Sequence, residues 1–61
     1  MKVYVFIIKN YLFNKETMCD DIETEQRIEI IAENIEEANE ILYDNYYYES
    51  AELIGYIPLN N

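Results

Sequence analysis

The spacing of hydrophobic and polar residues changes repeatedly along the chain, and each change marks an element. From Val3 to Phe13 the segment VYVFIIKNYLF is dense in β-branched and aromatic residues and carries no helix-start signal, which predicts a strand. Its first half is apolar on both alternating faces, with Val3, Val5 and Ile7 on one and Tyr4, Phe6 and Ile8 on the other. A strand central in its sheet, or covered on both sides, has this pattern. The polar segment NKETMCDD, residues 14–21, predicts a hairpin connection longer than a tight turn. From Thr24 to Glu33 the chain alternates strictly, Gln26, Ile28, Ile30 and Ala32 against Glu25, Arg27, Glu29 and Glu33, with only Ile31 breaking the polar side. This predicts a strand with one buried and one solvated face.

Asn34 opens the segment NIEEANEILYDNY, where the period shifts to that of a helix. Its side chain suits an N-cap, Glu37 three residues on suits a capping box, and Glu36 and Glu37 complement the positive end of the helix dipole. Ile35, Ala38, Ile41, Leu42 and Asn45 or Tyr46 follow one helical face. The helix must end within YDNYYYES, because successive helical residues are about 100° apart and three adjacent tyrosines cannot share one face. Tyr46 is expected to close the buried face, with rings among Tyr43, Tyr47 and Tyr48 turned outward beside Asp44 and Glu49. The segment AELIGYIP, residues 51–58, then alternates Ala51, Leu53, Gly55 and Ile57 against Glu52, Ile54 and Tyr56. It predicts a third strand closed by Pro58.

The order strand, strand, helix, strand favours one arrangement, an α+β fold over a single domain, residues 1–61. A right-handed crossover from the second strand through the helix to the third leaves a gap, which the first strand fills antiparallel to both. The predicted sheet is thus three-stranded, in the order 2-1-3, with one helix on one face. With Ile28, Ile30, Ala32, Leu53 and Ile57 turned inward, the other face carries Ile31, Ile54 and Tyr56. These three are the candidate self-association residues, and a homo-oligomer is expected to cover them.

Composition narrows the function classes. Sixty-one residues lie near the lower limit for a core that holds without cross-links. The lone Cys19 excludes an internal disulfide, and with no histidine and no second thiol a structural zinc site has no ligands. Lys2 and the apolar run Val3–Ile8 resemble the start of a signal peptide, but Lys9 and Asn10 interrupt it and no small-residue cleavage site follows. The run is also too short to span a bilayer, so a cytoplasmic protein without membrane contact is expected. Thirteen acidic against four basic residues give a net charge of -9. Such a surface repels nucleic acid and anionic lipid and attracts basic protein surfaces.

Catalytic equipment is sparse, and no catalytic residue, metal ligand or cofactor is expected. There is no histidine for acid–base work, Ser50 is the one serine, and Gly55 alone cannot build a phosphate loop. Cys19 is followed by Asp20 and Asp21, a poor setting for a nucleophilic thiolate. Asp20, Asp21, Glu23 and Glu25 could in principle gather Mg2+ or Ca2+, but they lack the turn glycine and ligand spacing of a calcium loop. A metal-dependent DNA-nicking enzyme is therefore only the third reading.

The candidate partner-binding residues are Glu33, Glu36, Glu37, Glu40 and Asp44, of which Glu33, Glu36 or Glu37, Glu40 and Asp44 lie three or four apart along the outer helix face, together with Tyr43, Tyr47 and Tyr48. Four helical residues rise about 6 Å, close to the roughly 6.8 Å of two phosphate steps along a DNA strand. Tyrosines beside carboxylates add flat apolar area with a polar tip, a composition common in interface hot spots. The segment IEIIAENIEEANEIL, residues 28–42, together with the leading MKVYVFII, resembles small DpnD/PcfM-like proteins of phages and plasmids. The long NKETMCDD loop and the YDNYYY run depart from that pattern. The resemblance implies a mobile element and transfers no activity and no site residue. The expectation is an acidic inhibitor of anti-CRISPR or other anti-defence type that occupies a basic nucleic-acid-binding surface of a host protein, binding no nucleic acid itself. A non-catalytic homo-oligomeric adaptor is the second reading.

Overall fold

The computed structural model describes residues 1–59. It contains β1 (Lys2–Asn14), β2 (Cys19–Ala32), α1 (Ile35–Asn45) and β3 (Ser50–Pro58), and the sheet order is β2-β1-β3 with both pairings antiparallel. The α+β architecture and strand order are those that the periodicity predicts. β1 lies in the centre and is hydrogen-bonded along both edges. Tyr4, Phe6 and Ile8 turn to the helix and are buried, and Val5 on the opposite face is also only 4% exposed.

Asn34 caps α1 as expected: it has extended backbone angles, and its side-chain oxygen accepts the Glu37 backbone N–H at 2.8 Å. Ala38 and Leu42 are the helix residues that become fully buried. They join Tyr4, Phe6 and Ile8 of β1 and Ile30 and Ala32 of β2 in one apolar cluster, with Ile28, Ile35, Ile41 and Tyr48 packed around it. The inward row Ile28, Ile30 and Ala32 is therefore correct. No residue of β3 is buried, and the cluster takes nothing from that strand. The helix covers the β2 and β1 side of its face and leaves β3 open on both.

Three local expectations are corrected. Residues 14–21 are not a loop: β2 begins at Cys19, and only Lys15 to Met18 form the turn, with Met18 at φ 58. That left-handed conformation is strained for a side chain such as methionine. Because β3 pairs only with Lys2 to Lys9, the rest of the hairpin projects as a two-stranded arm, and the molecule measures 52 × 19 × 12 Å. A register shift after Asn10 lets Asn10 face Thr24 and Tyr11 face Ile22, so Glu23 is the extra residue where the arm begins.

The alternation of β3 is also interrupted. Val5 faces Gly55 but Phe6 faces Leu53, leaving Ile54 as a bulge. The extra residue reverses the phase downstream, since side chains alternate with a period of two. Tyr56 therefore lies opposite Tyr4 on the helix side, with ring centroids 5.9 Å apart, whereas Ile57 lies opposite Val3 on the open face. The open-face apolar row is Ile31, Val3 and Ile57, and Tyr56 does not belong to it. Finally, Tyr46 does not close the buried face. It is the C-cap, with extended backbone, and its side chain is exposed, while Tyr48 packs on the core instead.

Candidate functional site

All thirteen Asp and Glu side chains are solvent-exposed. Among the described residues only two are ion-paired, Glu33 with the Met1 amino group at 3.9 Å and Glu25 with Lys9 Nζ at 3.5 Å. Among the described residues the other eleven carboxylates make no ion pair. Glu36, Glu40 and Asp44 follow one another at one-turn spacing on α1, opposite the buried Ala38 and Leu42, and Glu37 and Tyr43 flank them. Glu33 precedes the helix in a bend and is drawn to the amino terminus, so the helical stripe starts at Glu36. Asp44 sits in the last turn, where no basic residue stands. A carboxylate near the negative end of the helix dipole costs a few tenths of a kcal/mol, roughly, and so does not serve the helix.

The tyrosine run follows directly. Tyr43, Tyr46, Tyr47 and Tyr48 line a cleft of about 380 Å³, the side chains of Tyr43 and Tyr47 being the most exposed. The backbone behind it is tied at both ends. The Tyr46 N–H donates to the Leu42 carbonyl at 3.1 Å, and the Glu49 N–H donates to the Lys9 carbonyl at 3.0 Å. Between them Asn10 Nδ2 donates to the Tyr47 carbonyl at 3.3 Å and to Thr24 Oγ1 at 3.2 Å. Asn10 Oδ1 is buried without a partner, so this tie is made at some desolvation cost. The Tyr11 N–H donates to Glu49 Oε1 at 3.4 Å. Of the three tyrosines expected at the contact, Tyr43 and Tyr47 are free to meet a partner, and Tyr48 divides its ring between core and cleft. Tyr46 joins them, which spacing alone does not indicate because the helical period places it on the buried face.

The acidic residues of the arm are not gathered in one place. Asp20 lies opposite Phe13 and Asp21 opposite Leu12, and alternation along β2 sends neighbouring side chains to opposite faces. Asp21 accepts a hydrogen bond from Asn14 Nδ2 at 2.9 Å. Among the described residues no three His, Cys, Asp or Glu side chains form a group that could hold a metal ion. Cys19 is free and exposed at the base of the turn. Also among the described residues, no helix is long and apolar enough to cross a membrane.

The open sheet face has two characters. Ile31, Val3 and Ile57 form an apolar row across all three strands near the start of β1, with Ile31 and Ile57 more than half exposed. Farther along, Arg27, Ile7 and Glu52 form one row and Glu25, Lys9 and Ser50 another. Comparison with family models, with curated proteins and with solved structures found no match.

Proposed function

We propose that this protein is an inhibitor encoded by a mobile element, of anti-CRISPR or other anti-defence type, and that it occupies a basic nucleic-acid-binding surface of a host protein in the manner of a phosphate backbone. The observation that carries the reading is the unneutralised carboxylate surface, all of it exposed and eleven of thirteen groups without an ion pair. The stripe runs from Glu36 to Asp44 of α1, eight residue steps and about 12 Å of rise, which corresponds to roughly three to four phosphate steps. Asp44 strengthens the reading, because its place at the helix end serves charge presentation and not stability. The likeness of residues 28–42 to DpnD/PcfM-like proteins supports the mobile-element origin.

The test is phage survival on hosts that carry CRISPR or restriction systems. Expression of the wild-type chain should rescue infection on at least one such host. The variant Glu36→Gln, Glu37→Gln, Glu40→Gln, Asp44→Asn should lose the rescue at equal protein level. Rescue by that variant, or no rescue on any defended host, sinks the proposal.

A homo-oligomeric adaptor is the second reading, favoured by the open-face row Ile31, Val3, Ile57, whose two isoleucines are exposed, and by β3, an edge strand without one buried residue. The two readings use different faces and are compatible in one molecule.

A further inference from the structure

We infer that the cleft lined by Tyr43, Tyr46, Tyr47 and Tyr48 is a cation cage that receives an arginine side chain of the partner protein. The four residues that line it are all tyrosines. The face of such a ring carries negative potential and attracts a cation placed within about 6 Å of its centroid. A guanidinium suits it better than an ammonium, because it is planar, stacks on aromatic faces and is more weakly hydrated. Among the described residues none of the four hydroxyls is hydrogen-bonded within the chain, so each remains an acceptor for guanidinium N–H groups.

Charge selects the occupant further. Asp44 and Glu49 interrupt and follow the run, and the chain as a whole carries -9. The chain's own cations are elsewhere. Lys9 pairs with Glu25, Lys15 is in the turn at the tip of the arm, and Arg27 is on β2 opposite Ile7. Lys2 places its ammonium 4.8 Å from the centroid of Tyr56, so this protein already makes the same kind of contact at the other end of the sheet. The ties at Leu42, Lys9 and Asn10 hold the backbone under the rings in place before a partner arrives. Tyrosine has only two side-chain torsions to fix, which keeps the ordering cost low.

The assignment rests on the proposed function only for the arginine's owner, so its test uses no partner. N-acetyl-arginine methylamide is titrated into the protein while tyrosine ring resonances are followed by NMR, with the neutral citrulline analogue as control. The arginine compound should shift the rings of the four cleft tyrosines, and the citrulline compound should bind several-fold more weakly. Tyr47→Phe, which keeps the ring and loses only the hydroxyl, should weaken binding less than Tyr47→Leu, which should weaken it about 2- to 5-fold, as expected for loss of one exposed cation–π contact. Tyr47 is 82% exposed, so neither change threatens the fold. Equal response to both compounds, or shifts confined to the Glu36, Glu40 and Asp44 stripe, would overturn the cage. The variant Glu36→Gln, Glu37→Gln, Glu40→Gln, which leaves Asp44 beside the cleft untouched, separates the two ideas: it should lower rescue in the phage assay yet still shift the tyrosine rings.

Discussion

Replacing Leu42 by alanine should release α1 from the sheet. Leu42 is 1% exposed, and Ala38 is the helix's other fully buried anchor, a single methyl. Large-to-small changes at such sites cost about 2–5 kcal/mol, including the cavity left behind. A chain of sixty-one residues has a total stability of about 3–9 kcal/mol at typical values per residue. The substitution thus removes a large share of it. Nor can the helix survive alone, since isolated helices shorter than about 12–15 residues are marginal in water and α1 has eleven. Urea unfolding followed by circular dichroism at the helix band measures the effect. With a slope of about 1 kcal/mol/M for a small chain, the midpoint should fall by roughly 2 M or more. Leu42→Met, which conserves volume, should cost less than about 1.5 kcal/mol. The neighbouring Tyr43→Ala, on an exposed position, should stay within about 0.5 kcal/mol of wild type. A Leu42→Ala midpoint within about 0.5 M of wild type would refute the argument that this narrow contact holds the helix.

Two further outcomes concern the open face. Gly55 stands in mid-strand opposite Val5, has no positive φ, and a Cβ built on it meets nothing within 4 Å. Gly55→Ala should therefore stabilise the monomer by about 0.5–1 kcal/mol by thermal unfolding, because glycine weakens a strand interior; destabilisation would mean that something else occupies that space. If copies associate through the open face, Ile31→Glu with Ile57→Glu should reduce the mass measured by light scattering to that of one chain, while Tyr56→Glu, on the helix side, should leave it unchanged. A wild-type protein that is already monomeric, or a Tyr56 variant with the larger effect, would remove the open face as the self-association surface.

The central strand, the alternating half of β2 and the capped helix are legible because each rests on a local signal that the fold does not contradict. Asn34 caps whether or not the sheet is known, and a strand apolar on both faces must lie in the middle. The arm was not legible. Cys19 to Glu23 are polar, yet they pair with Tyr11 to Asn14 because a strand partner supplies what propensity withholds. The bulge at Ile54 was hidden for the opposite reason. Leu53, Ile54, Tyr56 and Ile57 are all apolar, so either phase of β3 fits an alternating pattern, and only the pairing with Phe6 and Val5 decides between them. In the tyrosine run, composition predicted several outward rings, but the packing of the loop, tied by backbone bonds to Lys9 and Asn10, decides which ring turns inward. That decision assigns Tyr48 to the core and frees Tyr46 for the cleft.

The projecting hairpin has a hydrodynamic consequence. A compact chain of this length has a radius of gyration of about 10–11 Å, whereas this molecule has 14.1 Å. Friction follows shape as well as mass, so a lone chain should elute early from a sizing column and sediment slowly for its weight. Its rotational diffusion should differ along and across the long axis, and amides aligned with β1 should relax differently from those perpendicular to it. An apparent dimer by elution volume is thus the expected behaviour of a single extended copy.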